Sequence, residues 1–408
     1  FISSTLLLVC AFSSDGLTRL LAALIATLGC ALYFTQMDTA MTLMDTKGDV
    51  RPGFAEEMAA FIGFLLVIGL HFTAIKAGCC LTGRAQEPGG GRWVLITGCD
   101  SGFGRGLVIS ALEAGFNVIA ACYTDEGAEG LSGTAATAVV ADLATAQGRG
   151  RVVESALKLS GGQLFGLVNN AGLCLPGNAE WLPLKAYERS MELLFYAPVS
   201  LVYDLLPALK AAKGRVVNVT SVAGFLGAPG NGPYVAAKHA LEGYSDSLRC
   251  EMLPWGVKVI CIQPATMRTA LAMSFADGWL KGFKDAEPAR KAQYGDDWAE
   301  KVAAPIKKGT SDIAADPQKT VNALMRALRD PKPPARIMTG TAATLFYKPL
   351  SLLPDAMRDT LLYGMTFSAA GQPAGLAAQA MAPSAGAVSN NDKDTGVAAA
   401  ASDATSLL

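Results

Sequence analysis

Residues 93–104, WVLITGCDSGFG, decide how the rest of the chain is read. A short apolar run ends at Thr97-Gly98 and passes through Gly102 and Gly104 into GLVISALEAG (residues 106–115), whose apolar positions recur at helical spacing. A strand that delivers a glycine-rich turn to a helix N-terminus turns backbone N–H groups and the positive end of the helix dipole toward an anion. Gly98 permits the turn, Gly102 lets the backbone approach a pyrophosphate, and Gly104 lets helix and strand pack closely. Asp100, Ser101 and Phe103 complete the loop and are expected to border the same site.

Downstream, apolar runs at 93–97, 117–122, 137–142, 165–170, 214–221, 257–264 and 335–339 alternate with helical patterns at 103–114, 145–160, 185–212, 233–253 and 317–329. Near-continuous apolar strands separated by helices imply a parallel sheet covered on both faces. The expected fold is α/β: a doubly wound Rossmann sheet of about seven strands over residues 91–340, with its ligand crevice at the strands' carboxyl ends. Residues 266–316 interrupt the alternation with a charged, partly helical insertion, in which Phe275, Trp279 and Phe283 suggest an apolar lid. Residues 341–368 are apolar but broken by Pro349 and Pro354, which suits a segment lying against a membrane or the substrate mouth. Residues 369–408, rich in Ala, Gly, Ser and Pro, read as a disordered tail.

The chain has 408 residues, 51% of them hydrophobic, and the apolar excess lies near its ends. The segments Phe1–Phe12, Leu17–Met37 and Met58–Ala77 have no polar face, and the last two reach the length of about 20 residues that crosses a bilayer. Two or three transmembrane helices are therefore expected within residues 1–82, with His71 interfacial. The absence of a leading methionine suggests an upstream piece. Lys47 and Arg51 stand against five acids in the loop 38–57, whereas Lys76, Arg84 and Arg92 follow the last span, which places the soluble domain in the cytosol. A net charge of −1 with scattered Lys and Arg argues against nucleic acid. Nine irregularly placed cysteines, Cys122 and Cys261 among them in strands, read as reduced thiols, and Cys79-Cys80 as small apolar residues at a helix end.

Asn169-Asn170-Ala171-Gly172, Ser221, and Tyr234 with Lys238 follow the glycine turn in order. Together they resemble the short-chain dehydrogenase/reductase family, whose pattern is TGxxxGxG, NNAG, Ser and YxxxK. The resemblance covers residues 92–340. The phrases TGCDSGFG, KGRVVN and EMLPWGVKV are similar to the membrane-associated branch holding retinol dehydrogenases, the NAD-linked 11β-hydroxysteroid dehydrogenase and mitochondrial 3-hydroxybutyrate dehydrogenase.

Oxidation of an alcohol needs a base for the hydroxyl proton, and a tyrosine at its free pKa of about 10 is a poor one. Tyr234 and Lys238, four apart, share a helix face, where the ammonium is expected to stabilise the phenolate. The resemblance makes Ser221 the hydrogen-bond donor to the substrate oxygen, and gives Lys238 the nicotinamide ribose. It also places Asp142 and Leu143 at the adenine, Asn170, Ala171 and Gly172 along the adenosine side, and Pro264 and Thr269 at the carboxamide, with Ala265 where the family usually has Gly. Serine hydrolysis lacks a base, since the two histidines are His71 and His239, the latter off the Tyr234 face. No cluster has metal-ligand spacing, and the sequon Asn218-Val219-Thr220 falls in a predicted buried strand.

Cys122 occupies the strand end where NAD-linked members often carry Asp. Asp100, Asp125 and Glu126 are nevertheless expected to repel a 2′-phosphate, with no Arg or Lys nearby, so NAD is favoured over NADP. Aligning without gaps on LLP and KGRVVN puts Leu194 where the family has a catalytic asparagine that kinks the helix and holds a proton-relay water. The expected activity is NAD-preferring oxidation of a secondary or allylic alcohol on a lipophilic hydroxysteroid or retinol. The expected site is the cytosolic face of the endoplasmic reticulum membrane, and the resemblance allows a homodimer. Two alternatives stay open: a 3-hydroxybutyrate dehydrogenase of the mitochondrial membrane, with Arg268 or Lys281 holding the anion, and a cofactor-binding pseudoenzyme, because of Leu194.

Overall fold

The computed structural model describes residues 88–376, apart from 296 and 372. The expected N-terminal spans and the tail beyond 376 lie outside the described residues.

Seven parallel strands form one sheet in the order β3-β2-β1-β4-β5-β6-β7. They are β1 (Trp93–Thr97), β2 (Asn117–Cys122), β3 (Thr137–Val140), β4 (Leu164–Asn169), β5 (Arg215–Val219), β6 (Lys258–Pro264) and β7 (Arg336–Thr339). Each side of the sheet takes alternate residues of a strand. Val94 and Ile96 of β1 join one core with Leu107, Leu324 and Leu328, while Leu95 joins the opposite core with Leu167, Leu201 and Leu205. The helices supplying these side chains are α1 (Gly102–Glu113), α2 (Asp125–Glu129), α3 (Ala146–Ser160), α4 (Leu184–Met191), α5 (Ala197–Ala211), α6 (Gly232–Met252) and, after the insertion, α11 (Gln318–Arg329). Strand order reverses between β1 and β4, so their carboxyl ends diverge and open the crevice that the alternation of strand and helix predicts.

The predicted single helix 185–212 is one rod, Leu184–Ala211, but its middle is a π-helical turn, Glu192–Tyr196, between α4 and α5. It is apolar and long enough to cross a membrane. Its apolar side instead covers the sheet, with Leu201, Leu205 and Leu209 fully buried. Arg149 of α3 pairs with Glu192 at 2.7 Å and bolts the π turn to its neighbour.

The insertion folds as α7 (Ala270–Met273), α8 (Phe275–Asp285), α9 (Pro288–Lys291) and α10 (Trp298–Ile313). Its aromatics do not all face the crevice as expected. Trp279 and Phe283 turn away and meet Trp181 edge-on, each 4.9 Å between centroids, and Trp298 stacks on Phe367. An insertion that stands off the sheet needs its own core, and these rings form it. Phe367 ends the last segment, which comprises a π turn (Ala343–Tyr347), α12 (Lys348–Leu350) and α13 (Asp355–Phe367). The apolar stretch 341–368 thus packs partly onto the insertion through Phe367 and leaves Leu345, Phe346, Leu352, Leu361, Tyr363 and Met365 exposed.

Candidate active site

Thr97, the last residue of β1, ties the two walls of the crevice together. Its hydroxyl donates to Val168 O (3.2 Å) and accepts from the N–H groups of Asn170 and Ala171, both at 3.0 Å. The Asn170 amide donates in turn to Thr97 O (2.8 Å) and Gly98 O (3.1 Å). Asn170 lines the crevice as expected, yet its donor is committed to bracing the glycine turn. A β-carbon on Gly104 would stand 2.1 Å from Gly98 O, so helix and turn touch at a distance only glycine allows. Gly102 has φ +57° and open space on its crevice side, with only the Thr269 methyl at 3.7 Å from a β-carbon placed there. Ser101 makes no side-chain cap, so the first N–H groups of α1 remain directed at the crevice. This cradle fits a dinucleotide pyrophosphate.

The crevice has a volume of about 820 Å³. Gly98, Asp100, Ser101, Gly102 and Phe103 line one end, with Asp142, Leu143, Ala171 and Gly172. Ser221, Tyr234, Lys238, Pro264 and Thr269 line the other. Residues as far apart as Gly98 and Thr269 thus share one cavity, as the motif order predicts. Gly104 alone of the predicted set lies beneath the surface, serving the close packing described above.

At the adenosine end the structure corrects the charge reading. The Asp100 carboxylate accepts from Tyr123 N (2.9 Å), Thr124 N (2.9 Å) and Thr124 Oγ1 (3.0 Å), which holds the β2 loop against the glycine turn. Asp125 and Glu126 are exposed in the first turn of α2 and do not line the crevice; there they face the helix dipole instead. Arg105, which the expectation of no nearby cation overlooked, reaches Asp100 O (3.3 Å) and Gly130 O, but does so outside the crevice lining. Asp142 accepts from Ala144 N (2.9 Å) and pairs with Arg189 of α4 at 3.3 Å. Arg189 lines the crevice and had no motif to reveal it, since only the packing of α4 beside the end of β3 brings it there.

At the other end, Ser221 accepts from Ala223 N (3.1 Å) and stands beside the Tyr234 phenol. The Lys238 ammonium, 4% exposed, donates to Val219 O at 2.6 Å and stands 5.5 Å from the Tyr234 ring centroid. Burial pushes Lys238 down to about 8, against the pull of Glu242. Burial also carries the Tyr234 phenol above the ordinary tyrosine range; the nearby Cys174 thiol adds to the rise and the Ser221 hydroxyl opposes it. The lowered phenol expected from Lys238 is therefore not a property of the chain alone, where desolvation dominates. His239 is exposed and bonded to Val235 O, off this face as predicted.

Leu194 is buried within the π turn and lies outside the crevice lining, which takes Leu193 instead. The helix distortion that the resemblance ties to asparagine is present with leucine in its place. Arg268 reaches Ala314 O and Lys281 pairs with Asp285; neither lines the crevice, so the cations expected to hold 3-hydroxybutyrate are not there. Among the described residues no group of His, Cys, Asp and Glu could hold a metal ion. Sequence reasoning missed Cys174, whose thiol meets Asn231 Oδ1 at 3.2 Å beside Tyr234, and, while it pointed to segments 266–316 and 341–368, did not name Leu271, Ile306, Tyr347, Leu362 and Met365 of the far wall.

Comparison with known proteins agrees with this geometry. The profile of the short chain dehydrogenase family matches residues 92–278. Human dehydrogenase/reductase SDR family member 9 is 35% identical over 280 residues, 66% of this chain and 87% of that protein. The chain belongs to the short-chain dehydrogenase/reductase family. Within this family it falls in the retinol and steroid dehydrogenase branch: mouse retinol dehydrogenase 5 is 34% identical over 69% of this chain and 91% of its own. Bovine 17-beta-hydroxysteroid dehydrogenase type 6 is 31% identical over 66% and 87%. Among solved structures, a short-chain dehydrogenase from Streptomyces avermitilis superposes with TM-score 0.51 at 27% identity, covering 68% of this chain and 97% of that one. This short-chain dehydrogenase/reductase is an oxidoreductase acting on CH–OH groups with a nicotinamide cofactor.

Proposed function

We propose that this enzyme oxidises a secondary or allylic alcohol on a lipophilic substrate, a hydroxysteroid or a retinol, with NAD preferred to NADP. The observation that carries this reading is the apolar wall that α7, α8, α10 and the C-terminal segment bring round Ser221 and Tyr234, namely Leu271, Phe275, Ile306, Tyr347, Leu362 and Met365. Such a wall suits a large apolar body with one polar group. Tyr234 takes the hydroxyl proton, Ser221 hydrogen-bonds the substrate oxygen, and Lys238 stabilises the phenolate while its ammonium faces the ribose. A bound oxidised nicotinamide supplies the hydride acceptor and a positive charge that offsets the desolvation of the phenol. On the adenosine side, Leu143, Asn170 and Gly172 border the ribose and adenine, Asp142 faces the adenine with Arg189 fixing its carboxylate, and Thr269 with Pro264 borders the carboxamide. Asp100, an anion in the glycine turn, supports the preference for NAD.

The exposed side chains Leu345, Phe346, Leu361 and Met365 belong to the segment that supplies Tyr347 and Leu362 to the crevice, and with the apolar segments 17–37 and 58–77 they support membrane anchoring. Loop charges favour a cytosolic catalytic domain on the endoplasmic reticulum. Leu194 favours a second reading, a cofactor-binding protein without turnover. Reduction of NAD and NADP by detergent-solubilised protein with a hydroxysteroid, a retinol and 3-hydroxybutyrate tests both. NADH formation with either lipophilic alcohol is expected. Turnover of 3-hydroxybutyrate alone overturns the substrate class, and cofactor binding without turnover of any of them establishes the second reading.

A further inference from the structure

Four residues apart along one face of α6 stand Tyr234, Lys238, Glu242 and Asp246, and the third of these has no part in the reaction as described so far. Glu242 is 6% exposed. Its Oε1 accepts from Thr220 Oγ1 (2.6 Å) and Gln263 Nε2 (2.9 Å), and its Oε2 accepts from Arg336 Nε (2.9 Å). Arg336, reaching in from β7, also holds Asp246 at 2.6 Å, and Asp246 takes a further bond from Arg249 at 2.6 Å. Room for the carboxylate exists because residue 224, in the turn after Ser221, is glycine: a β-carbon there would stand 2.8 Å from Glu242 Cγ.

A buried carboxylate with three donors is a built feature, since each unmet bond there costs about 1–3 kcal/mol. It stands one helical turn beyond Lys238, and adjacent residues of one chain segment hold the two groups: Val219 O takes the ammonium and Thr220 Oγ1 the carboxylate. Among the described residues Glu242 is the negative charge that acts on Lys238. Val219 offers the ammonium a carbonyl; the Cys174 thiol beside Tyr234 is pushed by burial up to about 12, and the Cys261 thiol of β6, on the Glu242 side, up to about 11. Glu192, the acid of the π turn, is paired outward with Arg149.

We propose that Glu242 is a positioning residue for Lys238: its carboxylate, clamped by Thr220, Gln263 and Arg336, is the fixed counter-charge that keeps the buried ammonium protonated where Leu194 supplies no polar group. This rests on the reading of Tyr234 and Lys238 as the proton-transfer pair. The electrostatic pull of Glu242 on Lys238 acts in the required direction, against desolvation. Arg336 tempers that pull, so the two side chains must act with opposite sign.

The test measures the pH midpoint of competitive acetylation at Lys238, located by mass spectrometry, in parent, Glu242→Gln and Arg336→Gln protein. Glutamine keeps Oε1 as the acceptor for Thr220 and Gln263 and removes the charge together with the Oε2 acceptor of Arg336. The midpoint is expected to fall by about one pH unit or more in Glu242→Gln and to rise in Arg336→Gln. Activity gives a second readout: the ratio of Glu242→Gln to parent kcat/KM is expected to climb as pH falls from about 8 to about 6, because acid restores the ammonium. A merely structural role lowers that ratio equally at every pH. An unchanged Lys238 midpoint in folded Glu242→Gln overturns the proposal; if that variant does not fold, an unchanged midpoint in Arg336→Gln does so, and a rise there supports it. Shifted midpoints in a protein that turns over no alcohol uphold the role of Glu242 and defeat the proposed function instead.

Discussion

Leu194 leans on the NNAG turn: a β-carbon added to Gly172 would stand 3.6 Å from the Leu194 Cδ2 carbon. The leucine therefore forms part of the dry wall beneath the cofactor loop, in a π turn that keeps its distorted shape without the family's asparagine. Replacing it with asparagine sets two effects against each other. A carboxamide in this wall is expected to cost about 1–3 kcal/mol of stability. If proton release limits turnover, the same change admits water beside Lys238. Leu194→Asn is expected to lower the melting temperature, raise kcat, leave NADH affinity near its parent value and shrink the solvent isotope effect. An unchanged or lower kcat in the folded variant would show that protons leave by another route.

Tyr234→Phe keeps the ring and removes the hydroxyl beside Ser221. Loss of the general base is expected to reduce kcat by about 100-fold or more. NADH titration should give nearly the parent affinity, since the glycine turn is untouched. Substantial turnover in this variant would remove Tyr234 from its role.

Lys238 provides a pH signature in the cofactor-free protein. Burial lowers it from 10.5 to about 8, so between those values the unfolded chain holds a proton that the folded chain has released. Raising the pH through that window relieves the desolvation cost, and stability should rise relative to Lys238→Met by up to about 3 kcal/mol. Denaturant unfolding of both proteins at pH 7.5 to 10.5, about the span of the shift, checks this. Parallel curves would mean that Lys238 is not desolvated.

Of the three acids expected to repel a 2′-phosphate, Asp100 lines the glycine-turn end of the crevice, whereas Asp125 and Glu126 are exposed outside its lining. The unmodified enzyme is expected to bind NAD about ten-fold more tightly than NADP, or about 1.4 kcal/mol. Asp100→Asn, which keeps an acceptor for Thr124, should narrow that gap. Equal affinities in the unmodified enzyme would refute the charge argument.

Membrane attachment has a direct check. The full chain is expected to stay in the pellet after carbonate and high-salt washes. Release by salt alone would mean that the apolar segments 17–37 and 58–77 do not span.

What the chain alone made legible is local. Strand β1, the turn and α1 follow from an apolar run, glycines free to take positive φ and a 3.6-residue period, all within residues 93–115. Parallel pairing followed from strands without a polar face, and the spacing of Tyr234 and Lys238 from one turn of helix. Packing decided the rest, because it depends on neighbours far apart in sequence. Arg336 meets Glu242 across 94 positions, and Phe275 faces the crevice while Trp279 turns into the core with Trp181. The π turn at Leu194 is likewise invisible in periodicity, since a single extra residue in one turn leaves the apolar pattern of a long helix almost unchanged. Side-chain type and period specify an element and its inner face; which charge meets which, and which ring closes the pocket, is settled only when those faces are pressed together at close-packed density.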